Sequence, residues 1–265
     1  MIIKAQTTFA DLLKELHELQ ERGKFFSPDS AAAVSLSDRI AKLREASDQQ
    51  ALLLRGLWHM QCGDAAAAVR KLTEIKDSEL NPGFHRFCVL VNLGFATEAL
   101  TLFKIVGSPT TGQFTVSVPG GLAAGAIGTI AGFINQAKSM HLSNLDGIAA
   151  DKLLLAGSIL ESYGTKDEEI ARVLDVSGAV IREHGLLHLG HVDVDASETS
   201  GKVTLRYRLA VDPDQAIWLY DQFLDRLYDE EVPVPNGLIV VYDADEPAPF
   251  AGAVYKDSKS QETRV

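Results

Sequence analysis

"GLWHMQCGDAAAAVRKL" (residues 56–72) and "FCVLVNLGFATEALTLF" (residues 87–103) are the same sentence written twice, 31 residues apart. Gly63 falls on Gly94, Ala68 on Ala99, Val69 on Leu100 and Leu72 on Phe103, and just ahead of each stretch Arg55 falls on Arg86. Apolar residues at helical spacing precede the shared glycine, and a second amphipathic run follows it. Glycine tolerates the left-handed conformation that ends a helix, so each stretch predicts two helices joined at the glycine. A small residue in each helix lets the backbones approach closely.

The frame G-x6-G-x4-A recurs as Gly125, Gly132 and Ala137, then as Gly157, Gly164 and Glu169 with Ile170 and Val173 in the next apolar places. One such hairpin cannot bury its own apolar face, so neighbours must stack. "TTFADLLKELHELQERG" and "DSAAAVSLSDRIAKLREA" supply a further helix pair in front. "GSPTTGQFTVSVP" is expected as a long loop between repeats.

Through Gly56, Gly63, Ala68 and Leu72, and again Gly94, Ala99 and Phe103, residues 50–185 resemble the tetratricopeptide repeat family. The spacings of 31, 38 and 32 residues depart from that family's regular period. Phe87 fills a small position, and Glu169 stands where alanine is usual. The resemblance implies stacked helical hairpins that hold a protein or peptide in a groove without catalysis. It places the first helix of each hairpin on the concave face, which makes Arg55, His59, Arg86 and Asn92 the candidate partner-binding residues.

Beyond Gly185 the period becomes two. Val192 to Asp195 alternate apolar and acidic, and Val203, Leu205, Tyr207 and Leu209 alternate with Lys202, Thr204, Arg206 and Arg208. "ASETSG" between them is turn chemistry, so a β-hairpin is expected. Asp212 caps a helix with Pro213 at its first position, and Ile217, Tyr220, Phe223, Leu224, Leu227 and Tyr228 form its apolar stripe. "GLIVVYDAD" is a further strand. The expected fold class is therefore α+β, mainly α. A helical-hairpin domain spans residues 1–185, a small, loosely ferredoxin-like α+β module 186–246, and a loose tail 247–265.

The chain has 265 residues, 46% hydrophobic and 23% charged, with a formal net charge of −11. That composition supports a folded core, and the acidic surface argues against nucleic acid as a partner. No run of apolar residues is long enough for a membrane span, and no apolar signal segment opens the chain, so a cytoplasmic setting is expected. Cys62 and Cys88 stand where the matched repeat has Leu93 and Leu57, as buried thiols and not a disulfide framework.

"REHGLLHLGHVDVD" (residues 182–195) holds His184, His188, His191, Asp193 and Asp195. In a strand His191, Asp193 and Asp195 share one face but spread over about 13 Å at roughly 3.3 Å per residue, too far to converge on one ion. Cross-strand pairing with the basic arm is the expected role. Asp243, Asp245 and Glu246 at the last strand's exit are the acidic cluster on which a metal-dependent hydrolase would rest. In "TVSVPGGLAAGAIGTIAGF", Ala126 and Ile127 stand where a phosphate loop needs Lys and Ser or Thr, so close helix packing is the expectation. No cofactor is expected. Trp58 and Trp218 are expected in the core. Self-association through the sheet edge or the glycine-rich helix stands as a third function class.

Overall fold

The computed structural model describes residues 2–141, 145, 147–188 and 192–244, with side chains from Thr8 onward. It is mainly helical, with eleven α-helices and one three-stranded sheet among the described residues. The first helices are α1 (Ile2–Gln20) and α2 (Ala31–Leu43). Four helix pairs follow, α3 (Asp48–Gln61) with α4 (Ala65–Thr73), α5 (Pro82–Asn92) with α6 (Ala96–Val106), α7 (Phe114–Ala123) with α8 (Ile127–Ser139), and α9 (Ala150–Ser162) with α10 (Asp167–Glu183).

Each pair turns at a glycine with positive φ: Gly63 (+77°), Gly94 (+65°), Gly125 (+77°) and Gly164 (+70°). The hydrogen bonds are the same at all four. The glycine N–H reaches back three residues, as Gly63 to Met60 O, and the next N–H reaches back five, as Asp64 to His59 O. This paired motif satisfies helix-end carbonyls that would otherwise lack donors.

The third hairpin departs from the expected frame. Gly125, not Gly132, makes its turn, so the 31-residue offset from Gly63 to Gly94 runs on unbroken to Gly125. Gly132 lies within α8 in open space. The segment expected as a long loop is a single 3-10 turn, Pro109–Thr111, followed by helix α7 with Pro119 inside it. The run of glycines there seats aromatic rings. A Cβ on Gly120 would stand 2.7 Å from the Phe87 ring, and one on Gly121 2.6 Å from Phe103. Phe87 can fill a small position because its neighbour helix gives up side chains in exchange. The first hairpin keeps the simpler solution, with Gly56 closed against Leu72 at 2.7 Å.

The fourth pair does not stack as a hairpin. α9 packs on α8, where a Cβ on Gly157 would meet the Ala131 methyl at 2.7 Å. α10 leaves it and lies against α6 and across the row of turns. A Cβ on Gly178 would come within 1.9 Å of Gly94 O, and one on Gly125 within 2.9 Å of Ile170. Asp175 accepts from Thr97 N at 3.1 Å, capping α6, which has no side-chain cap of its own. Asp167 accepts from Gly128 N at 2.8 Å and Thr129 N at 2.9 Å, doing the same for α8. These carboxylates are eight residues apart, about 12 Å along a helix, close to the 8–10 Å spacing of packed helices. Arg182 donates to Leu93 O and to Gly94 O at 2.9 Å, with its guanidinium 3.9 Å from the centre of the Phe95 ring. One helix thus binds two adjacent turns. The chain continuing from it covers the first: Phe25 N donates to Gly185 O, Leu187 N to Gly23 O, and the Phe25 ring lies against Gly63.

The sheet is ordered β1-β2-β3 from β1 (Val192–Ser197), β2 (Lys202–Leu209) and β3 (Leu238–Ala244), with α11 (Pro213–Asp229) crossing from β2 to β3. β1 pairs β2 antiparallel, as the hairpin reading required, with Ser197 opposite Lys202, so that the turn is shorter than the expected "ASETSG". β2 pairs β3 parallel, Val203 opposite Leu238. The alternation holds in full. Val192, Val194, Val203, Leu205, Tyr207, Leu209, Leu238, Val240 and Tyr242 are buried on one face, in a core shared with α5 to α11. A second core joins α1 to α4, with Val89, Leu93 and Leu187.

Candidate functional site

The four candidate residues stand on α3 and α5, in different surroundings. Arg55 donates to Ser37 Oγ at 2.7 Å and Ser37 O at 3.2 Å on α2, and its guanidinium lies 5.6 Å from the Trp58 ring centre. His59 Nδ1 is 3.7 Å from Asp64 Oδ2. Burial lowers the His59 pKa against the pull of Asp64, and Arg55, Arg70 and Lys71 push it the same way. Asn92 is 6% exposed: its side chain accepts from Gln20 Nε2 at 2.9 Å and donates to Cys88 O at 2.7 Å. Arg86 is half-buried, and its Nε finds no acceptor among the described residues, nor does Trp58 Nε1.

The chain's own first helix explains this. Gln61 donates to Leu16 O at 3.2 Å, Gln20 meets Asn92, and His85 is held to about 4 by burial with His17 adding repulsion. α1 therefore lies over the first helices of two hairpins, where the family resemblance placed a groove. What remains open there is the half-buried strip of Arg55, Trp58 and His59.

The acidic residues of the sheet are paired. Asp193 takes both Arg208 Nε and Nη2, at 2.9 and 2.5 Å. Asp195 lies 2.8 Å from Lys152 on α9, and Asp243 lies 2.9 Å from Arg206. The expected cross-strand pairing is present for Asp193, whereas Asp195 and Asp243 are met from α9 and from β2. His191, Asp245 and Glu246 lie outside the described residues. His188 is buried edge-on against Tyr207, centroids 4.4 Å apart, and His184 packs on Trp218 at 4.6 Å. Among the described residues no three His, Cys, Asp or Glu side chains could hold a metal ion together. Burial pushes the Cys62 thiol up to about 11 and Cys88 to about 12, far from a nucleophile's range.

The apolar stripe of α11 splits in two. Phe223 and Leu227 are buried, with Ala216 and Leu219 beside them, while Ile217 is 63%, Leu224 43% and Tyr228 84% exposed. Trp218, expected in the core, is also exposed. Val234 and Ile239 continue this apolar surface, and between α11 and β3 runs a cleft of about 170 Å³ lined by Tyr220, Phe223, Leu224, Leu227, Leu238 and Val240. The signal was present in sequence: a stripe at 217, 220, 223, 224, 227 and 228 is wider than one buried face needs.

Comparison with protein-family models, with curated proteins and with solved structures gives no match. The class is set by the chain's own geometry: a mainly helical protein carrying a small three-stranded mixed sheet. No helix among the described residues is long and apolar enough to cross a membrane.

Proposed function

We propose that this chain is a non-catalytic binding protein, an adaptor, chaperone or regulatory subunit whose stacked helices are a scaffold for holding another protein. The observation that carries the reading is the exposure of Ile217, Leu224 and Tyr228 along α11, next to an apolar cleft that Leu224, Val234 and Ile239 line. Soluble monomers rarely leave contiguous apolar patches, and such patches mark interaction surfaces. Covering a Leu, Ile or aromatic side chain is worth roughly 1.5–3 kcal/mol, so three anchors are enough to dominate an interface. The polar residues that would support catalysis are engaged elsewhere: Asp193, Asp195 and Asp243 in ion pairs and Asn92 in the core.

The test is affinity capture from host extract with mass spectrometry, using the wild-type chain and two variants. Tyr228→Glu with Ile217→Glu should release the partner; Arg55→Glu with Arg86→Glu should release it only if the α3–α5 strip is the holding surface. A chain that retains no protein, yet keeps a stoichiometric divalent ion through dialysis, would overturn the reading in favour of a metal-dependent hydrolase.

A further inference from the structure

β3 is an edge strand: among the described residues it pairs with β2 and with no other strand. Val203 N donates to Gly237 O at 2.7 Å, so alternate β3 residues from Gly237 onward face β2. By the same alternation, Val240 and Tyr242 turn their N–H and C=O outward to the free edge. An edge of this kind is a template for another chain unless something blunts it. Here it is not blunted by a proline, a bulge or an inward-pointing charge, since Leu238, Val240 and Tyr242 are all buried beneath it. The apolar cleft runs beside that edge, with α11 as its other wall.

Beside the cleft residue Leu224, the outer face of α11 carries acidic groups. Along α11 and just past it, Ile217, Asp221, Leu224, Tyr228 and Glu231 follow one another at helical spacing, and all are exposed. Asp221 and Glu231 make no ion pair among the described residues; Arg226, the helix's single cation, is held by Glu183 and Glu230 at 2.7 Å each, on the α10 side of the helix where Asp225 and Asp229 also stand. A second copy of this acidic face would repel the first. A basic segment would be drawn in.

We propose that the cleft between α11 and the free edge of β3 takes up an extended segment of a partner protein as a fourth strand, its apolar side chains entering the cleft and its lysines or arginines meeting the acidic face. The proposal rests on the reading of the chain as a binding protein and names the mode and chemistry of that binding. Main-chain bonds to Val240 and Tyr242 would supply affinity, and alternate side chains specificity.

The experiment pans a random decapeptide library against the full chain, then measures selected peptides as synthetic, end-blocked probes. Selected peptides should alternate apolar residues with Lys or Arg. Leu224→Asp and Asp221→Lys, both at exposed positions, should each weaken binding tenfold or more with unchanged melting temperature. N-methylating one alternate set of peptide nitrogens should abolish binding, while methylating the other set should leave it within about threefold. The amides of Val240 and Tyr242 should gain protection from hydrogen exchange.

No selection, acidic selected sequences, or binding indifferent to Leu224→Asp would overturn the proposal. So would binding that appears only once residues 246–265 are deleted, which would make the chain's own end the occupant, or a dimer that Leu224→Asp dissociates, which would make it a second copy. A cellular partner still captured by the Leu224→Asp and Asp221→Lys variants would sink this cleft and leave the binding-protein reading standing. Peptide binding as described, without any cellular partner, would do the reverse.

Discussion

Replacing Gly178 with alanine should destabilise the protein, although alanine is the better helix former by about 1 kcal/mol. Gly178 lies inside α10, and its added Cβ would sit 1.9 Å from Gly94 O and 2.7 Å from Gly94 Cα. The obstacle is backbone in a tight turn held at φ +65°, so it cannot rotate aside as a side chain would. α10 must retreat by on the order of 1 Å to reach ordinary van der Waals separation. That retreat stretches the Arg182 bond to Gly94 O (2.9 Å) and the Asp175 cap on Thr97 N (3.1 Å). Overpacking costs about 1–3 kcal/mol and a lost cap about 1 kcal/mol. After the gain in propensity, a net loss of about 1–3 kcal/mol remains. Urea unfolding followed by circular dichroism measures it. Gly132→Ala is the matched control, because Gly132 is also inside a helix, exposed, with nothing near its missing Cβ. It should stabilise by up to about 1 kcal/mol. If Gly178→Ala is as stable as wild type or more so, in step with Gly132→Ala, the packing of α10 on the turns is wrong.

Two further outcomes follow from the same structure. Asp167→Ala should lower stability by about 1 kcal/mol, read as a shift of the urea midpoint, since its carboxylate takes both Gly128 and Thr129 N–H groups; Asp167→Asn, which keeps an acceptor, should lose less. His85 is held near 4, below its ordinary 6.5, by burial and then by His17, so protonation favours the unfolded chain. Stability should therefore be complete above about pH 6.5 and fall as the pH drops towards 4; His85→Gln should flatten that slope, and an unchanged slope would contradict the burial.

Much of the fold was legible because the deciding signals are local. A glycine after a helical stripe forces a turn by its own φ, and Gly63 and Gly94 gave the period directly. The third turn was misplaced because residues 120–132 hold five glycines, and the frame matched Gly132 as readily as Gly125; extending the established offset to Gly125 would have resolved it. The strands and their buried face were readable from alternation alone, although the strand order was not, and β1 runs two residues into the segment read as turn. What sequence could not reveal is long-range. Nothing local says that Asp167 and Asp175 cap α8 and α6 across 39 and 78 residues, or that α1 covers Asn92. Half-exposed stripes mislead for the same reason: Leu224 and Phe223 are neighbours in sequence and equally apolar, and only the packed sheet decides which faces inward.

The most direct test of the account is a disulfide placed between Thr97 and Asp175, whose side chains are hydrogen-bonded across the α6–α10 contact. In a chain with Cys62→Ser and Cys88→Ala, Thr97→Cys with Asp175→Cys should close under mild oxidation, seen as a faster band on non-reducing gels, and should melt higher than its reduced form. Thiols that stay free while the protein is folded, or that join only in urea, would show that α10 does not lie across the hairpin turns.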